Sequence, residues 1–165
     1  MSVTSVEKDV EALTMTVKAD LDATVDRAWQ LWGDPRQFEQ WWGPPGYPTT
    51  VVDHDLRTGG RITFYMAGAE GERHDSTWEV IAADPPRRLE LRDADVDDDG
   101  RPNDGNAMTA MIITFDEGEA GGAVMAIHTH FDSLAGMEEV LAMGIEEGMR
   151  LVLAQIDDVL AGTPA

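Results

Sequence analysis

Cysteine is absent from the chain, which excludes disulfides, thiolate metal ligands and a cysteine nucleophile. No serine sits in a Gly-x-Ser-x-Gly turn, so the hydrolase nucleophile elbow is missing too. Lysine occurs only as Lys8 and Lys18, and 12 Lys and Arg face 32 Asp and Glu, for a formal net charge of −20. Such a surface repels phosphate backbones and anionic lipid headgroups, so neither nucleic acid nor membrane is an expected partner. No apolar run reaches the roughly 18 residues that a membrane span requires. The opening residues lack a basic segment followed by an apolar block, and therefore do not read as a secretory signal. A cytoplasmic protein is the expectation. No cofactor is implied.

What remains is 165 residues that are 42% hydrophobic, with five Trp, enough for one globular domain with a real core. Residues 1–12 are polar and read as a flexible segment, with a single domain over 13–162. Thr14 to Leu21 alternates, with Met15, Val17, Ala19 and Leu21 on one face of a strand. Two short helices follow. Thr24 caps the first, while Asp34 and Pro35 open the second, which carries Phe38, Trp41 and Trp42. Strand-like segments joined by short loops then occupy 49–131, an arrangement that implies antiparallel neighbours. A final helix is predicted over Met137 to Leu160. Its apolar stripe holds Met137, Leu141, Gly144, Ile145, Gly148, Leu151, Val152, Gln155, Ile156 and Val159. A run of strands closed by a terminal helix is the α+β pattern. Gly144 and Gly148 each cost about 1 kcal/mol of helix propensity. Their place in the stripe reads as room for a strand, a helix or a ligand to approach.

A set of short motifs adds a resemblance. Asp34-Pro35, Trp41-Trp42-Gly43-Pro44, Asp55-Leu56-Arg57-Thr58-Gly59-Gly60, Asp84-Pro85-Pro86-Arg87-Arg88-Leu89 and the two helix glycines occur in this order. Together they resemble the SRPBCC proteins, the START and birch-pollen-allergen superfamily. The branch is similar to the C-terminal domain of the activator of the heat-shock-protein-90 ATPase. The resemblance implies a helix-grip fold, a curved seven-stranded antiparallel sheet wrapped around a long C-terminal helix with two short helices after the first strand. It also implies a cavity for apolar molecules, which members of the superfamily bind, and no particular reaction. Where many relatives carry an aromatic residue after the second helix glycine, this chain has Met149.

The candidate ligand site combines Phe38, Trp41, Trp42, Tyr47, Phe64, Met66, Trp78, Met111 and Ile113 with Gly144, Gly148 and two polar groups, Gln155 and His128. An ordinary core is the alternative for the aromatic residues, but a core needs no polar insert, and the polar groups point to ligand orientation. His128 and His130 lie two apart on a predicted strand and share a face, which makes them the candidates for a general base, although no third metal ligand is evident. Asp95, Asp97 and Asp99 have calcium-loop spacing with Gly100 at the sixth position, but Asn106 stands where a bidentate Glu belongs. A solvated hairpin loop is the better reading there. Arg57 with Gly59 and Gly60 reads as turn architecture. The expected function is binding of a small, largely hydrophobic molecule between sheet and helix. The alternatives are a cyclase- or hydratase-like enzyme using a pocket histidine, and an interaction module of the chaperone-ATPase-activator kind. A chaperone or a second copy of the chain is the corresponding protein partner.

Overall fold

In the computed structural model, residues 2–43, 48–68, 70–93, 108–118, 121–131, 133–142 and 144–162 are described. The strands are β1 (Ser2–Asp9), β2 (Thr14–Leu21), β3 (Thr49–His54), β4 (Arg61–Ala67), β5 (Arg73–Asp84), β6 (Arg88–Asp93), β7 (Met108–Glu117) and β8 (Ala123–Phe131). Between β2 and β3 lie α1 (Val25–Gly33) and α2 (Pro35–Trp41). The C-terminal part forms α3 (Leu134–Ala142), α4 (Ile145–Ala154) and α5 (Ile156–Gly162). All strands join one antiparallel sheet in the order β1-β2-β8-β7-β6-β5-β4-β3. Register shifts at Val3/Ser5, Val51/Asp53, Val80/Ala82 and Met108/Ala110 interrupt the ladders. Such irregularities bend a sheet and increase its twist, so that one face can wrap around helices.

The α+β class expected from the sequence is the observed one, but the sheet has eight strands among the described residues where seven were expected. The extra strand comes from the segment read as flexible. Ser2–Asp9 pairs along β2, Val6 opposite Val17 and Lys8 opposite Met15. An edge strand needs one ladder of backbone hydrogen bonds and little apolar surface, so polar composition does not forbid it. Val6 packs on the core, and Lys8 reaches Glu146 of α4 at 2.5 Å.

Alternation decides the two faces. Met15, Val17, Ala19 and Leu21 of β2 are buried, as are Ala123, Met125, Ile127 and Thr129 opposite them on β8, and Phe131 at the end of that strand. These line the inner face, which the helices cover. Thr24 caps α1 by accepting from Arg27 N at 3.1 Å. Asp34 ends α1 through its own N–H to Gln30 O, and starts α2 by accepting from Arg36 N at 2.9 Å. One residue thus fixes the corner between two helices. At the far edge of the sheet, Glu39 of α2 accepts from Val51 N of β3 at 2.7 Å.

The terminal helix is not continuous. Gly144 takes φ +86°, in the left-handed region, and separates α3 from α4, while Gln155 marks the turn into α5. The helical segment also begins earlier than predicted, at Leu134, where Ser133 Oγ accepts from Gly136 N at 3.0 Å. The break shifts the phase of the buried stripe. Met137, Val152, Ile156 and Val159 are buried as the periodicity requires, but Leu151 is 47% exposed and Leu153 fully buried. Gly144 is exposed and lies outside the stripe. Glycine is there for its backbone conformation, because a side chain in the left-handed region is strained.

The two helix glycines should therefore respond oppositely to alanine. Gly144→Ala is expected to destabilise the protein by about 1–2 kcal/mol. Gly148→Ala, in α4 with no described atom beyond its chain neighbours and its own helix backbone within 4 Å of the new methyl, is expected to stabilise it by about 0.5–1 kcal/mol. Urea denaturation of both variants checks the sign of each.

Candidate functional site

The site is built on the corner between α1 and α2. Helical spacing brings Trp32, Phe38 and Trp41 to the same side, and the chain leaving α2 adds Trp42. Phe64 of β4 and Trp78 of β5 rise from the sheet to meet them. Phe38 stacks on Trp42 with centroids 5.5 Å apart, and Phe64 meets Trp78 edge-on at 4.7 Å. Trp42 also meets Trp78 at 5.1 Å, and Trp32 meets Trp41 at 5.0 Å, both edge to face. Offset and edge-to-face contacts of this kind add to the stabilisation from buried area.

Polar atoms around the cluster are mostly spent on structure. Trp41 Nε1 donates to Leu31 O at 2.8 Å, and Trp32 Nε1 to Met125 Sδ at 3.5 Å. Gln155 Nε2 donates to Trp41 O at 3.1 Å and to Gly43 O at 2.8 Å. Thr49 Oγ1 donates to Trp42 O. The last carbonyls of a helix lack partners within it, and here Gln155 and Thr49 supply them. Gln155 thus ties the α4–α5 junction to the end of α2. His54 Nε2 donates to Trp32 O at 2.9 Å, which serves α1 in the same way. Arg27 donates to Gln37 Oε1 at 2.6 Å, and Gln37 to Asp34 Oδ2 at 3.1 Å. Two buried donors find no acceptor among the described residues, Arg27 Nη2 and Trp42 Nε1.

Of the residues expected in the site, Phe38, Trp41, Trp42, Phe64 and Trp78 do assemble, and Met66 lies half-buried against the core beside them. Ile113 is fully buried and Met111 half-buried on β7 of the inner face. Tyr47 lies outside the described residues, and so do Asp95, Asp97 and Asp99. Trp32 was not expected in the site, although it lies one helical turn from Ala28 and Trp29 and only nine residues before Trp41.

The histidines require a correction. His128 pairs with Thr16 and His130 with Thr14, and all four share the outer face, away from the helices. The residue between them, Thr129, is the one that points inward, at 3% exposure, between Met15 and Met111. A strand with apolar residues at 123, 125, 127 and 131 places 129 with them, so the alternation itself carried this signal. His128 Nδ1 lies 2.9 Å from Thr16 Oγ1. Burial holds the imidazole pKa below its ordinary 6.5, with Lys18 and His130 adding to the effect. At the Gly59–Gly60 turn, Arg57 is bidentate to Asp55 at 2.6 and 3.0 Å, and a side chain at Gly60 would meet Asp55 O at 2.2 Å. That arginine holds a turn together. No group of three or more His, Asp or Glu able to hold a metal occurs among the described residues. No described helix is long and apolar enough to cross a membrane.

Comparison with known proteins places this geometry. The profile of the family described as Activator of Hsp90 ATPase homolog 1-like protein matches residues 22–161. The chain belongs to this family. A crystal structure of a Mycobacterium smegmatis protein is similar at 40% identity, covering 99% of this chain and 100% of that one with a TM-score of 0.83. A solution structure from Arthrobacter aurescens is similar at 38% identity, over 98% and 94%, with a TM-score of 0.86. An AHSA1-like protein from Aeromonas hydrophila, at 21% identity over 88% and 92% with a TM-score of 0.67, shares the fold. No match was found among curated proteins. The fold is the helix grip, with its terminal helix broken at Gly144.

Two variants check the roles assigned above. Gln155→Ala removes both bonds to the end of α2 and is expected to cost about 1–2 kcal/mol of stability in chemical denaturation. The lowered pKa of His128 means that the unfolded chain takes up this proton before the folded one does. Its contribution is therefore complete above pH 6.5 and declines as pH falls from there towards the folded-state value. His128→Gln should flatten the melting temperature over that window.

Proposed function

We propose that this protein binds a small, largely apolar molecule in the space between the inner face of the sheet and the C-terminal helices. The observation that carries the reading is at Gly148. This residue of α4 is half-buried, and among the described residues a methyl group on it would meet no atom within 4 Å beyond its chain neighbours and its own helix backbone. The same helix packs against α2 and β1 and buries Val152 and Leu153 in the core. Trp42, Met66, Met111, Leu141 and Met149 are half-buried apolar side chains in contact with the core, which gives a ligand a surface continuous with it. Methionine in such positions adapts to ligands of varied shape. Family membership supports binding as well, since AHSA1-like and other SRPBCC proteins are often ligand-binding.

Holding and sequestering, with no covalent step, is the activity these features support. A cyclase or hydratase reading needs a base on the inner face, and both His128 and His130 lie on the outer one. The proposed setting is the cytoplasm, and the net charge of −20 argues against nucleic acid and anionic membranes as partners.

Native mass spectrometry of protein purified from its own host is expected to show a bound small molecule that organic solvent extracts. Gly148→Leu should fill the space and eliminate that adduct without lowering the melting temperature. Protein that carries no adduct, but binds Hsp90 and stimulates its ATPase, would replace this reading with the chaperone-activator one.

A further inference from the structure

Thr129 is the one polar residue in the apolar phase of β8. It stands between Ile127 and Phe131 along the strand and between Met15 and Met111 across it, and only 3% of its surface is exposed. Its hydroxyl makes no hydrogen bond among the described residues. The unpaired polar atoms that are wholly enclosed there are Arg27 Nη2 and Trp42 Nε1, and Thr129 Oγ1 is not one of them. The sliver of surface that Thr129 keeps therefore includes its hydroxyl, and an atom the size of water can touch it. A buried hydroxyl costs free energy unless it is paired, and valine fits the same place in a strand without that cost.

Register connects this hydroxyl with α4. Met111, Thr129, Met15 and Lys8 form one rung across β7, β8, β2 and β1. Residues opposite one another share a face of the sheet, and Lys8 at the end of the rung holds Glu146 of α4. Gly148, with its open side, comes two residues later on that helix. α3 packs on β8 and α4 on β1, so the helices flanking Gly144 cover this part of the inner face.

We propose that Thr129 Oγ1 is the polar anchor of the ligand site, and that the ligand is a neutral, mainly apolar molecule bearing a ketone or alcohol oxygen. The inference rests on the ligand-binding reading above and specifies its chemistry. A threonine hydroxyl both donates and accepts, so it matches a carbonyl as well as a hydroxyl. The thioether sulfurs of Met15 and Met111 beside it are weak acceptors and do not compete with an oxygen. A charged ligand group would lie unpaired among Met15, Ile127 and Phe131, which selects a neutral one.

The test uses acetophenone, 1-phenylethanol and cumene, which match in shape and differ in carrying a ketone, an alcohol or no oxygen. Methyl ¹H–¹³C spectra of the nine methionines measure affinity and place each compound. All three should move the Met15 and Met111 methyl resonances of the native protein. Thr129→Val should weaken at least one of the oxygen compounds roughly three- to tenfold and leave cumene bound as before. Thr129→Ser, which keeps the hydroxyl, should retain the native ratio of oxygen compound to hydrocarbon. Without ligand, Thr129→Val should melt no lower than the native protein, because no bond within the fold is lost. A lower melting temperature would show that the hydroxyl serves the fold and would overturn the anchor. Affinities for both oxygen compounds that ignore the valine substitution, or binding that leaves Met15 and Met111 unmoved, would assign the hydroxyl to an enclosed water, overturning the anchor while the apolar site stands. Failure of all three compounds to bind would overturn the ligand-binding reading and this inference with it.

Discussion

The side-chain amide of Gln155 is the contact on which the inner face depends. It donates to the carbonyls of Trp41 and Gly43, one helical end held by the junction of two others. Aromatic side chains pack without strong direction, and a cluster of them would tolerate several arrangements of α2. Two hydrogen bonds to consecutive parts of the backbone remove that freedom. They fix where Trp42 leaves the helix, and hence how its ring meets Phe38 and Trp78. The Asp34 corner does the same at the other end of α2, through Arg36 N and Gln37. Between them, α2 is pinned at both ends.

This division of labour separates the polar residues into two groups. Gln155, Thr49, His54 and Asp34 complete helix ends, so their bonding capacity faces backbone. Arg27 Nη2 and Trp42 Nε1 are the buried donors left over among the described residues. A residue that looks available for recognition in the sequence, such as an amide in an apolar stripe, turns out to be structural. Trp42, expected in the site for its ring, carries a buried donor with no acceptor among the described residues.

Much of the fold was legible. Alternation identified Met15 to Leu21 and the strands of 49–131, capping chemistry located Thr24 and Asp34, and the motifs around Trp41 and the two glycines identified the family. What was not legible has specific causes. The edge strand Ser2–Asp9 is stabilised mainly by backbone pairing, to which side-chain pattern is blind. The break at Gly144 follows from a left-handed dihedral, and a helical wheel assumes there is none. Of the candidate site, the aromatic residues were legible because helix and strand periods place them together. The inward and outward sets on β8 differ by one residue, and the apolar phase of 123, 125, 127 and 131 puts Thr129 inside and His128 and His130 outside.

The carboxylate of Glu39 on Val51 N has an effect beyond attaching a helix. β3 ends the sheet, and an exposed terminal strand offers its free backbone groups to any extended chain that drifts past. With one of those positions already taken from within, and the ladder there thrown out of step between Val51 and Asp53, an incoming segment finds no uninterrupted row to zip onto. The same carboxylate that positions the helix thereby defends the protein against self-templated polymerisation.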